Sequence, residues 1–177
     1  MTTVLVAYAS KHGATAEFAA AVAQTLNDGG LPAACMNASE VESLEPYDAV
    51  VLGSAVYMKR WRREATRFLR KHGKDLSRRP FWVFSSGPVG DPATDDPAWT
   101  EPRGIVRRTV RLGTRGHVVF GGRISTTSRR PLDRAMVKSI PPEFRDRRDW
   151  DRIREWAEGI ASGLGVAVPA PSTTTPR

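Results

Sequence analysis

Five short apolar runs alternate with stretches of helical periodicity, and that alternation constrains the fold more than any other feature of the chain. Val4-Leu5-Val6-Ala7-Tyr8 is the first run, followed by an alanine-rich segment with Phe18, Val22 and Leu26 on one face. Asp28-Gly29-Gly30 stops that helix, and a weaker strand is expected at 33–37. Residues 49–53 are uninterruptedly apolar, as in strands covered on both faces of a parallel sheet. Helical spacing returns from Trp61, with Ala65, Phe68 and Leu69 inward, Arg62, Arg63, Arg67 and Arg70 outward, and Gly73 as a stop. Strands at 81–84 and 117–120 flank a helix at 103–112; a last helix starts near Asp149 and buries Ile153, Ala157, Ile160, Ala161 and Leu164. Strands separated by helices pair in parallel through right-handed crossovers. The expected architecture is a three-layer α/β sandwich around a five-stranded parallel sheet of order 2-1-3-4-5.

In such a sheet ligands bind outside the C-terminal ends of the strands, which directs attention to the loops after strands one, three and four. The first reads Ser10-Lys11-His12-Gly13-Ala14-Thr15, with a hydroxyl at each end, a glycine within and a helix start after it. Backbone amides and two hydroxyls at that position suit a phosphate; helix capping by Ser10 or Thr15 is the plainer alternative. The second, Gly53-Ser54-Ala55-Val56-Tyr57-Met58, combines small residues with an aromatic, as the edge and face of a flat ring require. Tyr57 serves equally as a stacking face or as sheet packing, and Trp61 is expected to pack inward with Ala65 and Phe68. The third, Ser85-Ser86-Gly87-Pro88-Val89-Gly90, is small, polar and kinked, and can present amides to a ring edge. No G-x-x-x-x-G-K-[ST] or G-x-G-x-x-G follows the first strand, and Gly53-Ser54 stands where a receiver domain needs an aspartate.

These loops resemble those of flavodoxin-fold proteins, and among them the menaquinone-dependent protoporphyrinogen IX dehydrogenases and relatives. The resemblance rests on Ala7–Thr15, on 51–57, on 85–88, and on Phe144-Arg145-Asp146-Arg147-Arg148-Asp149-Trp150 before the last helix. It implies a flavodoxin-like sandwich and bound FMN. The phosphate would lie at Ser10, Lys11, His12, Gly13, Ala14 and Thr15, and the ring between Ser54, Ala55, Val56, Tyr57 and Ser86, Gly87, Pro88, Val89, Gly90. It also implies dehydrogenation of an organic donor with a quinone as acceptor. His12 departs from the Thr or Asn usual in electron-carrying flavodoxins, and the paired stacking aromatics of those carriers are not both present. No catalytic acid or base is singled out, and no metal is expected.

Charge adds a second theme. The 177 residues carry 27 basic and 19 acidic side chains, a net +8. Residues 1–58 hold one basic and six acidic residues, whereas 59–79 hold ten basic and two acidic. A solvated outer face is the plain reading of that run. An acidic partner is the other: anionic lipid met through 59–79 and 123–140, a carboxylated substrate such as a tetrapyrrole, or a redox protein. No recognition motif for nucleic acid accompanies the charge. Residues 123–148 exceed an ordinary connection, and 132–140 repeats Leu132, Met136 and Ile140 at helical spacing. The FMN domain is expected over 1–165, with 166–177 a proline- and threonine-rich tail. One cysteine, Cys35, excludes a disulfide framework and is expected to pack as a small apolar residue. No secretory signal or bilayer-length apolar run is evident, so a cytoplasmic location is expected, peripheral to the inner membrane face if the basic segment meets lipid. Three function classes stay open: an FMN dehydrogenase, an electron carrier, and a binding module with a basic docking face.

Overall fold

The computed structural model describes residues 1–10, 13–87, 89, 92–124 and 131–166. Strand β1 (Val4–Ala9) leads through α1 (Ala14–Asp28) to β2 (Ala33–Asn37). Strands β3 (Ala49–Tyr57) and β4 (Arg60–Trp61) precede α2 (Arg63–Lys71) and the single turn α3 (Gly73–Leu76). Strand β5 (Phe81–Ser86), the turn α4 (Pro97–Thr100), α5 (Arg103–Arg111) and β6 (Gly116–Phe120) follow, then α6 (Pro131–Ser139) and α7 (Trp150–Gly163). The long strands are parallel in the order β2-β1-β3-β5-β6. With β4 set aside, that is the expected 2-1-3-4-5 order of a flavodoxin-like fold.

Alternation along the strands divides the core in two. Val4, Val6 and Val51 face α1 and α7, where they meet Phe18, Val22, Leu26, Ile153 and Ile160. Leu5, Ala7, Val50 and Leu52 face the other way, onto Ala65, Phe68 and Leu69 of α2 and Ile105 and Leu112 at α5. The first layer is held by aromatics packed edge-on or tilted: Phe120 meets Phe18 at 5.9 Å, Phe84 at 5.6 Å and Trp156 at 5.5 Å between ring centres. Gly53 makes room for them, since a Cβ there would lie 2.0 Å from the Phe84 ring. Asp149 caps α7, its Oδ1 accepting the Arg152 N–H at 3.0 Å.

Several local expectations need correction. Strand β3 does not end at Gly53; it runs to Tyr57 and folds back on β4, with Val56 opposite Trp61 and Tyr57 opposite Arg60. The turn is Met58-Lys59, at φ 51° and 60°. Two successive positive φ values match the twist of a tight hairpin, although neither residue is the glycine or asparagine that usually signals one. Trp61 is buried as expected, but on β4, and the helix begins only at Arg63. Arg62 is half-buried rather than outward. Helix α2 stops at Lys71, with His72 as its C-cap, just before the expected stop at Gly73, and Gly73 itself opens the short helix α3. Cys35 is exposed, because β2 is the edge strand. The helix expected at 132–140 forms as α6. Val166 packs against the α1/α7 core, and residues 167–177 lie outside the described residues.

Candidate functional site

At the C-terminal edge of the sheet, β1 passes into α1 through a turn that Ser10 holds. Its Oγ accepts the Gly13 N–H at 2.9 Å. Gly13 has φ 92°, with no atom within 4 Å of where its Cβ would stand, so the turn is left-handed and open on that side. The first intrahelical bond runs from the Glu17 N–H to the Gly13 carbonyl at 3.0 Å. The amides of Ala14, Thr15 and Ala16 therefore lie ahead of the hydrogen-bond ladder, where the helix end carries partial positive charge. Lys11 and His12 lie outside the described residues. Thr15 turns inward: it is 1% exposed, and its Oγ1 lies 2.7 Å from Oγ of Ser86, itself 2% exposed. That bond ties the first turn of α1 to the end of β5.

The second wall is the hairpin. Ser54 is buried; its Oγ accepts the Arg62 N–H at 3.0 Å and donates to the Ala55 carbonyl at 3.0 Å. Ala55, Val56 and Tyr57 are half-buried and Met58 is exposed at the tip. Beneath it runs a chain of polar groups that sequence reading misses. Trp61 Nε1 donates to Ser85 Oγ at 2.9 Å, and Ser85 Oγ lies 2.9 Å from His117 Nε2. Indole N–H can only donate. With Ser85 donating its own hydroxyl hydrogen to Nε2, neutral His117 carries its proton on Nδ1, which faces Glu101 Oε1 at 3.6 Å. Burial holds the His117 pKa below the usual imidazole range, and the Glu101 carboxylate offsets this only in part. The β3–β4 and β3–β5 pairings bring Trp61 to Ser85 and the β5–β6 register brings His117 there, and no local pattern encodes any of them.

Gly87 leaves β5 with φ 151° and donates its N–H to the Phe120 carbonyl at 3.2 Å. A Cβ on Gly87 would lie 3.1 Å from the Val56 carbonyl, and one on Gly122 would lie 2.9 Å from the Gly87 Cα. Bare backbone is therefore packed on bare backbone across three loops. Val89 is half-buried, while Pro88 and Gly90 lie outside the described residues.

The segment before α7 completes the edge. The Ile124 N–H donates to the Arg145 carbonyl and the Arg147 N–H to the Gly122 carbonyl, each at 2.9 Å. Arg147 grips both oxygens of Asp95, at 2.8 and 2.7 Å. Glu17, in the first turn of α1, pairs with Arg123 at 3.1 Å and with Arg148. Arg148 also binds Asp146 and holds that carboxyl below the usual carboxylate range. Arg123 and Arg148 thus reach α1 through charge, which the arginine spacing alone does not foretell. Among the described residues no group of three or more His, Cys, Asp or Glu is placed to hold a metal, and no helix is long and apolar enough to cross a membrane.

An α/β sandwich with amides, hydroxyls and glycines gathered at the switch point of its sheet defines a domain of the doubly wound class. The chain belongs to the family described as Flavodoxin domain, whose model matches residues 5–150. Solved structures agree in fold. A flavodoxin from Streptococcus pneumonia TIGR4 is 19% identical with a TM-score of 0.59, over 92% of this chain and 99% of that one. A cysteine-to-serine mutant of flavodoxin from Pseudomonas aeruginosa is 15% identical with a TM-score of 0.62, over 93% and 99%. The rubredoxin oxygen:oxidoreductase of Desulfovibrio gigas is 13% identical with a TM-score of 0.59, over 92% of this chain; the chain spans only 36% of that protein. No curated protein matches the chain in sequence.

Proposed function

We propose that the edge built by α1, the β3–β4 hairpin and the β5 exit binds FMN non-covalently and that the protein is an FMN-dependent oxidoreductase. The observation that carries this reading is the buried Thr15–Ser86 bond, which brings the open helix start and the ring-sized loops onto one edge. The residues present fit the group. Gly13 leaves space where a side chain would intrude, the amides of Ala14, Thr15 and Ala16 are free of the helix ladder, and the loops beside them carry small residues. Ser10, Thr15 and those amides would hold the phosphate, and 54–57 with 86–89 would flank the ring; Lys11, His12, Pro88 and Gly90 complete the proposed set. When bound, FMN supplies one- and two-electron transfer. The chain's own part is to bind and orient: the Ser10 turn fixes the helix start, Ser54 and Trp61 hold the hairpin, and the Gly87–Gly122 contact fixes the third loop.

The finer reading is a dehydrogenase that passes electrons from a reduced organic donor, such as a porphyrinogen, to a quinone. Its support is the resemblance of 144–150 and the position of that segment, bonded beside the edge through Gly122 and Asp95. A cavity of about 280 Å3 lies there among Asp95, Thr100, Glu101, Val119, Arg147 and Arg152. Pockets that enclose drug-sized molecules run to roughly 300–1,000 Å3, so a tetrapyrrole would lie across the edge rather than inside it. Titrating the purified protein with FMN tests the site: stoichiometric uptake is expected, and Thr15→Leu should weaken it at least tenfold. No uptake, or unchanged affinity in the variant, overturns the placement. Anaerobic turnover of porphyrinogen with a menaquinone analogue tests the reaction; a holoprotein that is reduced and reoxidised only by other redox proteins is an electron carrier instead.

A further inference from the structure

The two helical layers of the sandwich differ in sign. Helices α1 and α7 carry five acidic and two basic side chains, whereas α2, α3 and α5 carry nine basic and two acidic. Helices α2 and α5 pack on the same face of the sheet and over the same core, and Gly73 and Leu112 meet between them, with the Leu112 methyl 3.6 Å from the glycine's would-be Cβ. Their inward positions, Ala65, Phe68 and Leu69 on one and Ile105 and Leu112 on the other, force the intervening residues outward. The outward stripes are Arg63, Arg67 and Arg70 on α2 and Arg103, Arg107 and Arg111 on α5, all exposed. None of the six has an ion-pair partner among the described residues. By contrast, Arg123, Arg147, Arg148 and Arg154 on the other parts of the molecule are all paired.

We infer that the α2/α5 face is a peripheral docking surface for an anionic lipid membrane. Six like charges held in two rows repel one another and persist on a folded surface at a cost, which a field of opposite charge relieves. The face lacks the apolar centre ringed by polar groups that protein interfaces use. Val110, on the outer side of α5, is its exposed large apolar side chain, and Met58 stands exposed at the tip of the hairpin that precedes α2, both at 64%. Isolated apolar tips amid arginines suit shallow entry below headgroups. Two helices side by side over a sheet make a broad layer, not the groove-entering single element that reads duplex nucleic acid. The inference is independent of the redox reading.

Sedimentation of the full chain with vesicles tests it, using phosphatidylcholine alone and phosphatidylcholine with 30% phosphatidylglycerol. Binding is expected only to the anionic vesicles and should fall steeply between 50 and 300 mM salt. Each arginine near such a surface strengthens partition roughly fivefold, so Arg63→Gln/Arg67→Gln/Arg70→Gln and Arg103→Gln/Arg107→Gln/Arg111→Gln should each weaken it about 100-fold. Arg152→Gln/Arg154→Gln on the opposite layer should leave it unchanged, and far-ultraviolet circular dichroism of each variant checks folding. Equal binding to neutral vesicles, wild-type binding by both folded triple variants, or a loss that follows Arg129→Gln/Arg130→Gln instead overturns the inference. So does tighter binding to a 20-base-pair duplex or to polyglutamate than to the anionic vesicles.

Discussion

The two layers that cover the sheet are built to different specifications. On the α1/α7 side the contact is aromatic and alanine-lined: Phe18, Phe84, Phe120 and Trp156 interlock, and α1 presents no basic side chain at all. On the α2/α5 side the core is mostly aliphatic, two imidazoles lie within it, and the exterior is arginine. A single sheet can thus divide its duties. One face anchors the fold and the start of α1, while the other keeps its helices rich in charge and light in shared packing.

Three measurements put that contrast at risk. The largest effect is expected on the aromatic side. Phe120→Ala removes the ring on which Phe18, Phe84 and Trp156 converge and should cost about 3–5 kcal/mol of unfolding free energy, more than Leu69→Ala beneath α2, a class of change that costs about 2–5. Equal losses in urea titrations would mean that the two layers anchor the fold alike. Next comes pH. His117 and His72 both lie on the basic side, and burial holds both below the usual imidazole value, with Lys71 adding to the effect at His72. A depressed folded value means that the unfolded chain binds protons first. Stability should therefore be fullest above about pH 6.5 and fall as the pH drops from 7 toward 5. Hydrogen exchange should quicken first in β6 and α2; exchange that quickens first in α1 would sink the assignment. The smallest effect is salt. Screening the unpaired arginines should raise stability by about 0.5 kcal/mol between 0.05 and 0.5 M NaCl, and the Arg63→Gln/Arg67→Gln/Arg70→Gln variant should gain less.

Much of this is legible in the residues. Apolar runs bounded by glycine and proline locate the five long strands, and their alternation with helices dictates the parallel order. The first loop is legible too, since Ser10, Gly13 and Thr15 sit where strand gives way to helix. What escapes is whatever depends on register or on distant partners. The hairpin turn at Met58-Lys59 carries no turn-forming residue, so from the sequence β3 ends four residues early. Ser85 and His117 are 32 positions apart and meet only because β5 and β6 align Val83 with His117. Cys35 resembles a core residue because a strand's residues do not announce that one side of it has no neighbour. The arginines of 123–148 resemble surface decoration, yet two of them reach Glu17 across 106 and 131 positions.

The contact of Gly87 with both Val56 and Gly122 has a mechanical meaning. Where two main chains touch with no side chain between them, nothing can rotate aside to absorb a displacement. A push on the hairpin is handed on to the β6 exit, so a guest settling at one loop would be felt at the far rim of the same edge.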